Sequence, residues 1–385
     1  MHSKNIKKIV IFATSYLPLI GGAQVAVDET CKRITGYDFV LFCPRLKKEC
    51  RATEKINNVQ VFRIGFGYNI DKYLFPFVAP VFVLRKFGNK CLIWAIMANY
   101  GGLGALFYHL LTLKRNTFFL SLHEGATFEY IKLRSGYFYF LIKRIIKNVD
   151  YLHLVSSYSL CLARKMGFFS NRYRIIPDGV DLERFSLKRK DQNICMSLFQ
   201  KYNINKSDKI LFTASRITKK NALSDVVEAL RFLPKEYKFV IAGSGELESE
   251  ILNKIKKYNL EKSVILLGDC TQDEIVQFLA MSRIFIRPSI RESFGMVFIE
   301  SMAMGVPIIA TLEGGIKDFL IDRETGIVVG VHDVESIIKA VRDYEDADLY
   351  AKIQENGLKL VKERFDWNLI SVQVKEIFDH FIDKY

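Results

Sequence analysis

Between Ile284 and Ala310 the hydrophobic and polar positions change rhythm three times. Ile284, Phe285 and Ile286 form a short continuous apolar run, the pattern of a buried strand. A polar loop holding Glu292 follows, then a helix that opens near Gly295 and carries Glu300. Gly305 and Pro307 end that helix, and Ile308–Ala310 reads as a second strand. The eight-residue gap puts one carboxylate in the loop and the other about a turn and a half into the helix, where both can face one ligand. Unpaired N–H groups of the first turn, near Phe294, Gly295 and Met296, favour an anion such as a diphosphate there, and Gly295 permits close backbone approach. Spacing alone also fits a buried helix with two solvated glutamates.

The same alternation runs along the chain. Lys7–Thr14, Phe39–Cys43, Val59–Ile64, Thr117–Leu122, Asp150–Ser157, Lys209–Ala214, Phe239–Gly245 and Val264–Gly268 read as strands. Ala23–Arg33 and Phe365–Phe381 carry helical spacing, and Val334–Glu363 has helical composition. Tyr16–Gly22, YLPLIGG, puts two glycines between the first strand and the first helix, a place where phosphate or sugar can approach backbone. His123 stands just past a strand's C-terminal end, where open α/β sheets bind ligands, although a lone histidine is more often structural. GSGELE at Gly243–Glu248 lacks the third glycine of a dinucleotide fingerprint, and Asp346-Ala347-Asp348 lies in a polar acidic tract with no strand before it, which makes it a solvated segment rather than a metal motif.

Composition bounds these readings. The 385 residues suit two domains, and 50% hydrophobic with 25% charged residues is an ordinary globular balance. No apolar run reaches the length of a spanning helix, and the polar Met1–Lys8 runs straight into a strand, which points to a cytoplasmic chain. Seven scattered cysteines without a C-x-x-C pair indicate reduced thiols, neither a zinc site nor a disulfide frame. Charge is lopsided. Up to Phe185 there are 27 Lys+Arg against 12 Asp+Glu, and beyond it 29 against 30. That asymmetry suggests a phosphate-bearing partner, anionic lipid or nucleic acid, against the plainer reading of a solvated basic surface. Phe75–Phe87 and Tyr137–Lys147 combine aromatic and basic residues, and each reads either as a membrane-surface segment or as buried structure of the first domain.

The order P-S-x-x-E-S-F-G-x-x-x-x-E-x-M-A-x-G-x-P from Pro288 to Pro307 resembles the E-x7-E signature of retaining nucleotide-sugar-dependent glycosyltransferases of family 4, with Glu292 and Glu300 as its carboxylates. Further matches follow in the family's order: P-L-I-G-G-A-Q around Gly21 and Gly22, the segment at His123, I-P-D-G-V-D-L-E-R-F with Asp178 where asparagine is usual, and S-R-I-T-K-K-N-A-L from Ser215. Gly314-Gly315 and Gly326 fit its later turns. Arg216 matches the family's arginine directly, whereas the usual lysine falls among Lys219, Lys220 and Asn221, and Ala222 stands where glycine is common; Lys220 is taken as the match.

The resemblance implies an α/β protein of the GT-B fold, two Rossmann-like domains facing across a cleft with a C-terminal helix crossing back. The expected divisions are 1–185 for the acceptor-binding domain, 186–207 for a linker, 208–365 for the nucleotide-sugar domain and 366–385 for the returning helix. It implies donor contacts from Gly21, Gly22, Arg216, Lys220, Gly245, Gly268, Glu292, Phe294, Gly295, Met296, Val297 and Glu300, with His123, Glu292, Arg216 and Lys220 serving catalysis. Neither metal nor cofactor is implied, the nucleotide-sugar being a co-substrate, and no nucleic acid partner is expected. The basic first half points to a lipid-linked or glycan acceptor and to an anionic membrane surface, placing the protein on the inner face of the cytoplasmic membrane. A sugar-nucleotide epimerase, a phosphorylase and a catalytically silent binding scaffold remain open on the same architecture.

Overall fold

The computed structural model describes residues 7–382 apart from Ile20 and Lys90. The polar opening Met1–Ile6, Ile20 of the first glycine turn and the end of the last expected segment, 383–385, lie outside the described residues. Backbone contacts divide the chain into two compact units, one of residues 1–178 with 367–385 and one of 179–366.

Unit 1 is built on an eight-stranded sheet: β1 (Lys7–Phe12), β2 (Tyr37–Pro44), β3 (Thr53–Ile56), β4 (Val59–Ile64), β5 (Leu92–Ile96), β6 (Thr117–Leu122), β7 (Tyr151–Leu154) and β8 (Tyr173–Ile175), in the order β3-β4-β2-β1-β5-β6-β7-β8. Only the β3–β4 edge pair is antiparallel. Parallel strands are covered by helices on both faces, so Ile9, Val10, Ile11 and Phe12 are all fully buried and the central strands read as unbroken apolar runs. One face packs against helices α1 (Gly22–Arg33) and the C-terminal helix Trp367–Ile382; Phe378 of the latter sits 5.2 Å from the Trp94 ring and 5.7 Å from that of Phe119. Burying such a phenyl ring contributes about 2–3 kcal/mol, enough to bring the chain's end back to unit 1. The other face carries α2 (Asp71–Phe87), α3 (Tyr100–Leu111), α4 (Phe128–Ser135), α5 (Tyr139–Asn148) and α6 (Ser157–Lys165) over one continuous core.

Unit 2 holds a six-stranded sheet of β9 (Lys209–Ala214), β10 (Tyr237–Ala242), β11 (Val264–Gly268), β12 (Ile284–Arg287), β13 (Ile308–Ala310) and β14 (Ile327–Val328), ordered β11-β10-β9-β12-β13-β14 with every pairing parallel. Its helices are α7 (Gln192–Lys201), α8 (Leu223–Ala229), α9 (Glu248–Lys257), α10 (Gln272–Met281), α11 (Met296–Ala303), α12 (Val334–Asp343) and α13 (Ala347–Arg364). The order reverses direction at β9, between β10 and β12, so the loops after β9 and β12 open at the switch point where such sheets bind ligands.

Two divisions differ from expectation. The units part at Asp178/Gly179, and the segment read as a linker over 186–207 folds α7, which belongs to unit 2. Asp191 caps that helix by accepting from the Asn193 and Ile194 N–H groups, and Cys195 and Leu198 are buried beneath it. The acidic run at 343–348 does not ride on one helix: it ends α12 and starts α13, where Asp346 is the N-cap. Acceptors placed there satisfy the orphan N–H groups of the first turn.

Candidate active site

In unit 2, the loop after β9 and the loop after β12 are tied backbone to backbone. The Ile290 N–H donates to the Lys220 carbonyl at 2.8 Å, and the buried Asn221 amide donates to the Arg216 carbonyl at 2.7 Å. These bonds set the positions of Arg216 and Lys220 relative to Glu292. Lys220 Nζ lies 3.4 Å from Glu292 Oε1, whereas Lys219 is exposed to solvent, as is Arg216. Ala222, at the glycine-favoured place, adopts the left-handed conformation with φ 50° and ψ 34° that caps α8.

Glu292 is buried and held on both oxygens. Arg287 Nη2 donates to Oε2 at 2.7 Å, and the Ser293 N–H donates to Oε1 at 3.1 Å. Burial pushes the Glu292 carboxyl upward, but Arg287 and then Lys220 outweigh it, leaving the group below its ordinary value and ionised. Burial pushes the Lys220 ammonium below its ordinary value, with the Glu292 charge opposing and Arg287 adding to the shift. Arg287, 6% exposed, lies over the Phe298 ring at 4.6 Å. Burial lowers it too, while Glu292 and Glu300 favour its charge. Arg287 is the functional candidate that sequence reasoning passed over; the only signal was a cation closing an otherwise apolar strand.

Gly295 opens α11 with φ +92°, and no side chain caps the helix there. A Cβ at this position would meet the Phe298 ring at 2.7 Å and Glu292 Cγ at 3.1 Å, so the glycine lets the loop close tightly over the helix end. Met296 and Val297 are half-buried and Glu300 stands on the same helix. Phe294 points into the core against Phe319 and Phe365, so any contact it makes with a ligand is through its backbone. Gly245 serves packing: a Cβ there would lie 2.2 Å from the Ile217 carbonyl oxygen. Gly268 has φ +72° with open space around its Cα, and its carbonyl accepts from the Gly243 N–H at 2.7 Å.

Unit 1 holds the remaining candidates. Gly21, with extended backbone, is the N-cap of α1, and a Cβ on Gly22 would meet nothing within 4 Å. His123 directly follows β6 with its Nδ1 3.4 Å from Asp178 Oδ1, both side chains nearly enclosed. Beneath it, burial pushes the His153 imidazole down to about 4. Among the described residues, no group of three or more His, Cys, Asp or Glu side chains is placed to hold a metal ion, and no helix is long and apolar enough to cross a membrane.

Residues 197–360 match the family described as glycosyl transferases group 1. An uncharacterized glycosyltransferase of Methanocaldococcus jannaschii is 25% identical over 98% of this chain and 99% of that protein. The N-acetyl-alpha-D-glucosaminyl L-malate synthase of Bacillus anthracis is 33% identical over 47% of this chain and 48% of that enzyme. In structure, Anabaena HepE in complex with UDP and glucose covers 97% of this chain and 99% of its own with a TM-score of 0.80 and 18% identity, a likeness of fold.

Proposed function

We propose, from the match of residues 197–360 to the family described as glycosyl transferases group 1, a retaining transfer of a sugar from a UDP- or GDP-type donor to a hydroxyl acceptor. The observation that carries this reading is the meeting of Lys220 and Arg287 on the ionised Glu292, beside the uncapped start of α11. A diphosphate leaving group gains charge as the glycosidic bond breaks, and preorganised cations and N–H groups lower that barrier most where water is sparse. Arg216, Lys220 and the N–H groups following Gly295 receive the diphosphate. Lys220 then exchanges its weak contact with Glu292 for phosphate oxygens, which frees Glu292 Oε1 for the donor sugar's hydroxyls while Arg287 keeps hold of Oε2. Glu300 takes the ribose hydroxyls, Gly245 and Gly268 border the nucleotide, and His123 with the Gly21-Gly22 backbone serves the donor sugar, as the family resemblance implies. Binding of UDP and glucose by HepE supports the UDP alternative for the donor.

The acceptor is lipid-linked or a growing glycan handled at an anionic membrane. This part rests on unit 1. α2 buries Phe75, Ala79 and Val83 but turns Tyr73, Leu74, Phe77, Val78, Val81 and Phe82 outward, so the segment is at once core helix and apolar surface. Phe66 ahead of it is 74% exposed, and Leu133 and Tyr137 at α4 and its end are 82% and 87% exposed. Phe77 meets Phe107 of α3 at 5.4 Å, and α3 packs on α5, so these side chains belong to neighbouring helices on one face of the sheet. Between Phe66 and Lys147 there are eleven Lys+Arg against three Asp+Glu, and one of the three, Asp71, is buried. Apolar side chains at this density with a basic surround suit the interface of an anionic bilayer.

Proton NMR of the anomeric signal during acceptor-free donor hydrolysis tests the reaction: the first sugar released keeps the donor's anomeric configuration, and an inverted product overturns the retaining assignment. Flotation with phosphatidylglycerol vesicles tests the membrane: binding that weakens with salt supports it, and no binding at low ionic strength overturns it.

A further inference from the structure

Two loops leave neighbouring strands of unit 1 side by side. β2 and β4 pair in parallel as far as Pro44 and Ile64, the Arg45 N–H donates to the Ile64 carbonyl at 2.9 Å, and residues 45–51 and 65–70 follow. The second loop turns Phe66, Tyr68 and Ile70 to solvent at 74%, 51% and 62% exposure. It is held in this form by Asp71, which is 1% exposed. Asp71 Oδ2 accepts from three successive N–H groups, those of Phe66 and Gly67 at 2.8 Å and of Tyr68 at 3.1 Å, while the Asp71 N–H donates back to the Tyr68 carbonyl at 3.0 Å. Convergent N–H groups of this kind form a backbone nest around an anion. Asp71 Oδ1 is enclosed and has no hydrogen-bond partner among the described residues, so the shape of the loop is kept at a cost in stability. Glycine is required on both sides of the exposed Phe66: a Cβ on Gly65, φ +125°, would lie 2.3 Å from the Asp71 carboxyl carbon, and one on Gly67, φ +95°, 2.8 Å from Lys48 Cα.

The first loop is basic and is braced from within. Arg45 Nε donates to the Cys50 carbonyl and Nη2 to the Lys48 carbonyl, both at 2.8 Å, and Lys47, Lys48 and Arg51 stand exposed. Lys48 Nζ lies over the Tyr68 ring, 4.7 Å from its centroid, so the basic and the aromatic loop meet there. Residues 45–51 together with 65–74 hold five Lys+Arg against Glu49 and the enclosed Asp71. The apolar strip continues from Ile70 onto Tyr73 and Leu74 of α2. Exposed apolar side chains flanked by cations, with a tyrosine beneath one of them, match the acyl boundary, phosphate level and interfacial zone of an anionic bilayer in turn.

We propose that residues 66–70 are a preformed insertion tip for an anionic bilayer: Phe66 and Ile70 enter the acyl boundary, Tyr68 and Lys48 stay at the headgroups, and Asp71 is the positioning residue that fixes their reach. The inference rests on the reading that unit 1 meets an anionic membrane, and adds to it the point of entry and the group that shapes it. A loop already shaped before it meets lipid loses little freedom on binding, which is what the buried carboxylate and the two glycines supply.

The test is the fluorescence of Phe66→Trp in the full-length protein with phosphatidylglycerol vesicles at low ionic strength. The native Trp94 and Trp367 are buried and supply the parent's baseline. On binding, the emission of the introduced indole moves to shorter wavelength and is quenched by lipids brominated high on the acyl chain, while the baseline does not change. Flotation is the second readout. Phe66→Ser combined with Ile70→Ser weakens vesicle binding by about tenfold or more, the least expected when two apolar side chains are withdrawn from lipid. Asp71→Ala weakens it as well, and Asp71→Asn, which keeps an acceptor oxygen for the nest, restores most of the loss. Adding Asp71→Ala to the serine pair brings no further loss, whereas a general disturbance of the fold would add its own. The serine pair lies at the surface and carries the test if Asp71→Ala fails to fold. A parent that binds vesicles while the introduced indole stays in water, or a serine pair that binds like the parent, overturns the tip and leaves the membrane reading to α2 and α4. A parent that does not bind at low ionic strength overturns the membrane reading and the tip with it.

Discussion

Arg287 donates to Glu292 across 2.7 Å with both side chains buried, and the pair lies at the junction of β12 and the loop that carries the first carboxylate. Burying one such charge alone is costly, so the two residues are retained or lost together. Arg287→Met leaves Glu292 enclosed with only Lys220 opposite, and its expected cost is about 3 kcal/mol, read as an earlier unfolding transition in urea. The pH dependence has a definite sign. Glu292 is depressed below 4.5 in the fold, so its contribution is present above that value and is lost as pH falls through the folded-state value. In Arg287→Met the upward push of burial is less opposed, and the acid loss begins at higher pH. An acid transition unchanged from the parent would show that the pair is not coupled.

Lys220 and Lys219 are adjacent in sequence and differ in what they meet. Lys220→Ala is expected to lower kcat/KM for donor turnover by about a hundredfold, the scale for losing one preorganised stabilising group, while Lys219→Ala stays within about threefold. Initial rates of nucleotide release from both variants separate the two. The reverse ranking would move the phosphate role to Lys219.

Gly245 and Gly268 are separated by the same experiment in stability. At Gly245 a methyl group collides with the Ile217 carbonyl and forces β10 and the loop after β9 apart. Gly245→Ala therefore lowers the thermal midpoint strongly, at a cost of about 3 kcal/mol, while Gly268→Ala meets open space and costs only about 1 kcal/mol for its left-handed backbone. Scanning calorimetry of the two variants checks the order.

The sequence carried the rhythm of these elements better than their partnerships. Ile284–Ile286, Gly295 and Ile308–Ala310 are recognisable because continuous apolar runs, a glycine and a proline punctuate them at short range, and the strand, helix and strand lie there. The hold of Arg287 on Glu292 and the facing of His123 and Asp178 depend on where side chains of separate loops meet, which no periodicity records. α7 was legible in principle, since Asp191 ahead of Ile194, Cys195 and Leu198 is a cap before an apolar stripe, but the polar Lys188-Arg189-Lys190 beside it reads as linker. Phe75–Phe87 offered two exclusive readings because composition does not say that one helix can bury one apolar side and expose another.

Phe378 anchors the returning helix in unit 1 through the Tyr37, Phe39, Trp94 and Phe119 rings. Phe378→Ala opens a cavity there at a cost of about 3–5 kcal/mol and unfolds unit 1 first, as read by hydrogen exchange of the β1, β5 and β6 amides. Uniform loss of protection across both units would contradict that account.

The central claim, that unit 2 holds the diphosphate of a nucleotide-sugar through Lys220, the start of α11 and the two glutamates, is tested most directly by nucleotide release. A panel of UDP- and GDP-sugars is incubated without acceptor, with the parent protein and with Glu300→Ala. The expected result is slow release of nucleoside diphosphate from one donor by the parent and none by the variant. Release that Glu300→Ala leaves unchanged, or a parent protein inert toward every donor, would contradict it.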